Sequence, residues 1–384
     1  MDNQKTVRYT NEEGQDRKLR CAIIGCGEIS FCCLPVYRDL PWVEVTHCVD
    51  TIRTRAEEAA QFVSEKQAQP AEAISDYKIV IESDADVVVI NTPNHLHVEH
   101  AIAALNAGKH VLLQKPVAPS YEDSLMLLQV ANGQRKKGIL AGMYMSYLEQ
   151  PAIQEIISMA RAGIFGEITQ LHGRLMHADG LRWSKESIAQ SNSDQTLWRR
   201  SIQQTGGGAF IQLAVHCIRL FRSISNECIV AVKGYAGNLH CPGLEGEDTA
   251  SAIFHLESGA CATVDLSWCS PGEELSVHGT EGSAVFLNNS CMTLLSHKDW
   301  FGDHVQYLRG SSRTFAFNAV DMGDAESPFN QHRRFMRAVI DGREPDVPLS
   351  SGVEDMAVVA AFYESVQTGQ TAGVPLVPGN VIAV

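Results

Sequence analysis

The sequence predicts an α/β protein: a doubly wound parallel sheet, then an α+β domain with an open, largely antiparallel sheet. Three observations carry that prediction. The stretch Lys18 to Ser30, KLRCAIIGCGEIS, reads as a buried apolar strand, Cys21 to Ile24, running through a glycine turn into a helix. Strand and helix patterns then alternate as far as Leu140. Beyond that point several alternating segments follow one another with no helix between them.

A chain of 384 residues is long enough for two domains, each with its own core. Hydrophobic content of 45% and charged content of 20% place it among ordinary globular proteins. The formal net charge of −14, with no basic run, argues against nucleic acid or an anionic membrane as partner. The eleven cysteines are scattered apart from Cys32-Cys33, and no C-x-x-C pair points to zinc or thioredoxin-like chemistry. Cys21, Cys48, Cys217 and Cys261 sit in apolar runs and read as buried free thiols of a reducing compartment. No apolar signal-peptide core opens the chain, and no apolar run approaches the roughly 20 residues that span a bilayer. A cytoplasmic protein is expected.

Residues 1–17 read as a flexible tail, 18–140 as a dinucleotide-binding domain and 141–384 as a domain for substrate and oligomerisation. In the first domain a helix is expected from about Ile29 to Leu40 and a strand ending at Asp50. A helix over Arg55 to Phe62 and a polar stretch come next. The strand Ala85 to Ile90 leads into Thr92-Pro93-Asn94, and the helix His97 to Ala107 stops at Gly108. The strand His110 to Leu113 delivers Gln114-Lys115-Pro116. In the second domain, a helix over Pro151 to Ala162 and a strand from Glu167 to Arg174 precede an irregular stretch, His177 to Thr205. Gly206-Gly207-Gly208 opens another helix, and strands are expected at Ile229–Gly234, Thr249–Leu256, Ala260–Trp268 and Leu275–Gly279. Helices over Pro328–Asp341 and Val353–Thr368 close the chain.

Gly25 can bend the backbone sharply, and Gly27 lets a phosphate approach the main chain. The helix beginning at Glu28 and Ile29 offers that phosphate unpaired N–H groups and a positive dipole end. Asp50 closes its strand twenty residues after Ser30, where a dinucleotide fold places the carboxylate for the adenosine ribose diol. A carboxylate there repels a 2′-phosphate and favours NAD, while Arg53 and Arg55 leave NADP as the lesser option. A solvated acid at a strand end is the plainer reading of Asp50.

Gly25-Cys26-Gly27, Thr92-Pro93-Asn94 with His97, Gln114-Lys115-Pro116 and Gly206-Gly207-Gly208 with His216 occur in this order. With Glu247-Asp248-Thr249 and Gly279-Thr280-Glu281-Gly282, they make the chain resemble the Gfo/Idh/MocA oxidoreductases from Leu19 onward. The resemblance implies a Rossmann domain binding NAD through the glycine turn, Thr92, Asn94, His97, Gln114 and Lys115. It implies a sugar, glycoside or cyclic polyol as substrate and a homodimer or homotetramer as assembly. It also implies that the pair Trp198-Arg199 approaches cofactor or substrate.

Removing hydride from a secondary alcohol requires a base within hydrogen-bond reach of the hydroxyl. Lys115, before a rigid proline at a strand end, is the first candidate for acid/base work; by the resemblance it also touches substrate and cofactor. His216 is the second, four residues after Gln212 and so on the same helix face. A histidine in an apolar helix is also a common core residue. Tyr144, His177, Arg182, Trp183 and Gln212 are further substrate candidates, Trp183 supplying an aromatic face and the others polar groups. The family usually has glutamate at Gln114, aspartate at Gln212 and often arginine at Ser146. The two glutamines delete negative charge around Lys115 and His216, which favours a neutral lysine or suits an anionic substrate. The expected activity is NAD-dependent hydride transfer at a ring hydroxyl or ketone. A glycosidase using transient oxidation and a non-catalytic NAD or sugar sensor are the rival readings. No metal site is expected.

Overall fold

The computed structural model describes residues 9–10, 16–189, 195–318, 323–327 and 330–378. The chain divides into two compact units.

In the first unit, strand and helix alternate: β1 (Leu19–Ile24), α1 (Glu28–Asp39), β2 (Val43–Val49), α2 (Arg53–Ser64), β3 (Glu72–Ile74) and α3 (Tyr77–Glu82). Then come β4 (Val87–Ile90), α4 (Asn94–Asn106), β5 (His110–Gln114), α5 (Tyr121–Arg135) and β6 (Ala141–Tyr144). The strands order β3-β2-β1-β4-β5-β6 and every pair is parallel. This is the doubly wound sheet expected, with its switch point between β1 and β4. All four residues of β4 and four of the five in β5 are buried, which is why these strands are apolar without alternation.

Three features cross the expected bounds. A boundary at residue 140 would cut off β6, which pairs in parallel with β5, and the first unit runs on to Ser146. The helix Gln331–Asp341 also returns to this unit, burying Phe335, Met336 and Val339 in one core with Leu19, Ile23 and Tyr37. An amphipathic pattern reports that a face is buried, not against which sheet. The expected start of that helix, residues 328–329, lies outside the described residues. Finally, within the expected tail Tyr9–Thr10 pairs antiparallel with Asp16–Arg17, and Arg17 Nη1 donates to Asp86 Oδ2 at 2.6 Å. Residues 1–8 and 11–15 of the tail lie outside the described residues.

The second unit opens with α6 (Pro151–Arg161), β7 (Ile168–Met176) and α7 (Asp179–Ala189), the last inside the stretch expected to be irregular. A π-turn over Phe210–Ala214 continues into α8 (Val215–Ser225). The strands β8 (Ile229–Gly237), β9 (Thr249–Leu256), β10 (Cys261–Ser267), β11 (Gly272–Gly279), β12 (Gly282–Leu287), β13 (Cys291–Ser296), β14 (Arg313–Ala316) and β15 (Ala372–Gly373) follow. Among the described residues they form one sheet, β14-β13-β12-β11-β7-β10-β9-β8-β15, antiparallel except for β7 beside β10. Alternating burial along β9 and β10 shows one face packed and one open. On the packed side α8 is held to the helix Leu349–Thr368 by Arg219 and Arg222, which share the buried Asp355. No helix among the described residues is long and apolar enough to cross a membrane.

Candidate functional site

In the first unit the candidate residues gather at the carboxyl ends of β1, β2, β4 and β5. Gly25 has φ +92°, and a Cβ there would lie 2.7 Å from the carbonyl carbon of Asn91, so β4 can pass beneath the turn only because the side chain is absent. Gly27 is the opposite case: nothing lies within 4 Å of where its Cβ would be, and it leads into α1 with no side chain capping the helix. Ser30 is fully buried; its hydroxyl donates to the carbonyl of Gly25 and accepts from Asn91 Nδ2 at 2.7 Å. The hydroxyl thus ties β1 to β4, a task alanine or glycine would leave undone.

Asp50 faces the same turn. Its Oδ2 accepts the N–H of Cys26 at 2.9 Å and its Oδ1 the N–H of Ile52 at 2.8 Å. An ionised carboxylate has about four acceptor positions, so both oxygens keep capacity for a ligand hydroxyl. Glu28 is exposed and Ile29 half-buried in the first turn of α1.

Thr92 is half-buried and Asn94 buried at the start of α4. His97, fully buried, contacts the main-chain carbonyls of Pro116 through Nδ1 (2.7 Å) and Thr92 through Nε2 (2.8 Å). Burial pulls its imidazole down to about 4, against the pull of those two acceptors. His97 therefore braces the loops rather than presenting its ring to a ligand. Gln114 Oε1 accepts the N–H of Lys115 at 2.9 Å, while its buried Nε2 has no partner among the described residues. Lys115 is half-buried and precedes a cis proline. Tyr144, expected to line the substrate site, is instead 2% exposed with its ring 4.3 Å from that of His332, in the core of this unit.

In the second unit, Glu247 builds the start of the helix that carries Gln212 and His216. Its carboxylate accepts the N–H groups of Gly208 (3.0 Å) and Phe210 (2.8 Å) and the hydroxyl of Tyr363 (2.9 Å). Burial nonetheless pushes this carboxyl upward. Gly208 has no room for a Cβ, which would strike the Glu247 backbone. Gln212 and His216 are both buried, and the His216 ring packs on Tyr147 at 4.7 Å. Tyr147 Oη donates to Glu273 Oε1 at 2.8 Å, and Asn289 Nδ2 also donates to that carboxylate. His216, Tyr147, Glu273, Asn289 and Arg174 line one cavity. Sequence reasoning missed Tyr147 and Glu273, since 126 residues separate them.

The aromatic set assembles as well. Trp183 packs edge-on against His177 (5.5 Å) and Trp268 (5.4 Å). The Arg199 guanidinium lies 4.7 Å from the Trp183 ring and 4.5 Å from that of Trp198. Arg182 is exposed and pairs with Glu186 at 3.3 Å.

A glycine turn at the switch point of a 3-2-1-4-5-6 sheet, joined to an α+β unit, defines a dinucleotide-dependent oxidoreductase architecture. The profile described as "Oxidoreductase family, NAD-binding Rossmann fold" matches residues 19–141, and that of the GFO/IDH/MocA C-terminal domain matches 153–285. The chain belongs to the Gfo/Idh/MocA oxidoreductases, and its first domain is their NAD-binding domain. It is 30% identical over 238 residues to levoglucosan dehydrogenase of Pseudarthrobacter phenanthrenivorans, 55% of this chain and 58% of that protein. It thus spans less than two thirds of that relative's length. It is 26% identical over 333 residues to 1,5-anhydro-D-fructose reductase of Ensifer adhaerens, 84% of this chain and 90% of that protein. A solved levoglucosan dehydrogenase in complex with NADH and levoglucosan shares the fold, with TM-score 0.77 at 22% identity over 94% of this chain and 100% of that one.

The first unit fits NAD. Among the described residues the space at Gly27 is open, α1 lacks a side-chain cap, Asp50 keeps acceptor capacity and Gln114 holds a buried amide nitrogen without a partner.

Proposed function

We propose that the chain is an NAD-dependent dehydrogenase or reductase acting on a ring hydroxyl or ketone of a sugar, glycoside or cyclic polyol. One observation carries the reading: the glycine turn, Thr92 and Lys115 follow the ends of three adjacent parallel strands, β1, β4 and β5. Gly25, Gly27, the N–H groups of Glu28 and Ile29, Asp50, Thr92, Asn94 and Gln114 hold the cofactor, which when bound supplies the hydride acceptor or donor. Lys115 takes the hydroxyl proton in oxidation and returns it in reduction. His216 assists in proton handling and, with His177, Arg182, Trp183, Arg199 and Gln212, holds the sugar. The names of the two relatives, both acting on anhydrohexoses, support the substrate class.

The chain works in the cytoplasm as a homo-oligomer. Tyr235 and Ile253 are exposed on the adjacent strands β8 and β9, as a sheet face awaiting a second copy would be. Sedimentation showing only the 42.0 kDa species at micromolar concentration would contradict this.

The test is a screen of anhydrosugars, free sugars, glycosides, inositols and sugar acids with NAD, read by NADH absorbance. Stoichiometric NADH from one class supports the dehydrogenase. Glycoside cleavage without net NADH identifies the redox-cycling glycosidase instead, and tight NAD binding without turnover of any class identifies a sensor.

A further inference from the structure

Outside the residues assigned so far, Cys241 and Cys269 place their sulfurs 3.6 Å apart. Cys241 is fully buried in the loop after β8, and Cys269, two residues past β10, is partly exposed. Asp248 completes a compact group of metal-ligand types. Its carboxylate is spent elsewhere, however. It accepts the N–H groups of Leu239 (3.0 Å), His240 (2.6 Å) and Cys241 (2.8 Å) and the Thr249 hydroxyl (3.0 Å), four donors for about four lone-pair positions. A metal would find two thiols and no carboxylate. Two thiols in contact, one reachable from solvent, instead suit disulfide chemistry.

We propose that Cys241 and Cys269 are a reversible dithiol–disulfide modification site that clamps the first turns of α7. Hydrogen peroxide oxidises the Cys269 thiolate: the sulfur takes an OH from the peroxide as the O–O bond breaks, giving the sulfenic acid, and hydroxide leaves. The protonated sulfenic acid is then attacked by the Cys241 sulfur; the S–S bond forms and water departs. A dithiol reductant reverses it by two exchange steps. Burial and the neighbouring sulfur push the Cys241 thiol up to about 12, and burial raises Cys269 also. The thiolates are therefore not stabilised, so oxidation is slow and the disulfide, once formed, is only weakly oxidising.

The clamp follows from what each cysteine-bearing segment touches. The carbonyl of Trp268, next to Cys269, accepts the N–H of Gly180 at 3.1 Å. In the Cys241 loop, Gly243 N–H donates to the buried Ser184 hydroxyl at 2.9 Å. Gly180 has no space for a Cβ, which would lie 2.5 Å from Trp268 Cβ and 3.2 Å from Cys241 Sγ. Both segments thus grip α7 within five residues, and Trp183 lies between those grips. Joining them is expected to shift Trp268, the neighbour of Cys269, and through it Trp183, the ring under Arg199. The effect on sugar rests on the function proposed above; the pairing itself does not.

The test treats the full chain with hydrogen peroxide, counts thiols, maps peptides by mass spectrometry and follows tryptophan fluorescence. The expected result is that eleven thiols fall to nine through a Cys241–Cys269 link. Fluorescence should shift with the link, and dithiothreitol should reverse both. Cys269→Ala and Cys241→Ala should each abolish the shift while reduced activity is unchanged. Eleven thiols persisting, a link elsewhere, or one equivalent of zinc retained by the wild type and lost in Cys269→Ala would each overturn the site. A mapped link with unchanged fluorescence would overturn the clamp. A mapped link and shift in a chain that turns over no sugar would retain this site and count against the proposed activity instead.

Discussion

His97 Nδ1 stands 2.7 Å from the carbonyl oxygen of Pro116, while its Nε2 reaches the carbonyl of Thr92. A neutral ring carries one N–H, so it donates to one of these carbonyls and packs against the other, and in this way one buried side chain joins the end of β4 to the residue directly behind Lys115. His97→Ala removes both contacts and leaves a cavity, so we expect a loss of about 2–4 kcal/mol in stability. NAD affinity should fall by about tenfold or more, since the Thr92 and Lys115 loops lose their common brace. Urea unfolding and calorimetric NAD titration check the pair of effects; unchanged NAD affinity in a folded variant would refute the bracing role.

The two turn glycines should separate fold from cofactor. Gly25→Ala must relieve both a positive φ and a contact with the Asn91 backbone, and is expected to destabilise the chain by about 1–3 kcal/mol or more. Gly27→Ala meets nothing within 4 Å and should melt like the wild type, yet its methyl enters the open space where the proposed function puts the cofactor phosphates. NAD binding should weaken by about tenfold or more in that variant. Differential scanning fluorimetry with and without NAD distinguishes the two.

Two buried histidines set an acid limit. Burial pulls His332 down to about 3 and His97 to about 4, from an ordinary 6.5. Above that ordinary value neither state gains a proton and no stability is lost. As the pH falls below it, the unfolded chain binds protons that the folded chain refuses. Each histidine then costs about 2 kcal/mol by pH 5. Urea midpoints should drop steadily from pH 6.5 toward pH 4, and His332→Phe, keeping a ring against Tyr144, should flatten the slope. Equal slopes in the two proteins would remove His332 from the account.

The first unit was largely legible because its signals are local. An unbroken apolar strand, a glycine turn and an acid at the next strand end all lie within about forty residues, each with its own backbone reason. What escaped is short or distant. Glu72–Ile74 has only three residues and no room to display a period. Helix α7 carries Asp179, Arg182, Lys185 and Glu186 and buries little beyond Gly180 and Ser184, so its polar face hid it. Tyr144 was misplaced because a strand end reads alike whether its last ring turns inward or out. Tyr147 with Glu273, and the return of Gln331–Asp341 to the first core, are pairings of topology that no single-sequence period encodes.

Gln114 stands directly against the Lys115 main chain. Its Oε1 already accepts the Lys115 N–H, an acceptor that a glutamate would preserve while adding charge. A new carboxylate beside an amine favours the protonated form, so Gln114→Glu should move the limb on which oxidation rises with pH upward by about one unit. Gln212→Asp should weaken an acidic sugar more than a neutral one if the substrate is anionic. An unmoved pH profile in Gln114→Glu would show that the base lies elsewhere.

The most direct measurement compares wild type with Lys115→Met for NADH formation on the best substrate of the screen, alongside NAD affinity in the same preparations. The account predicts that turnover falls by at least about a hundredfold while NAD binds within about threefold of wild type. Turnover surviving in Lys115→Met with cofactor bound would contradict it and leave His216 as the base.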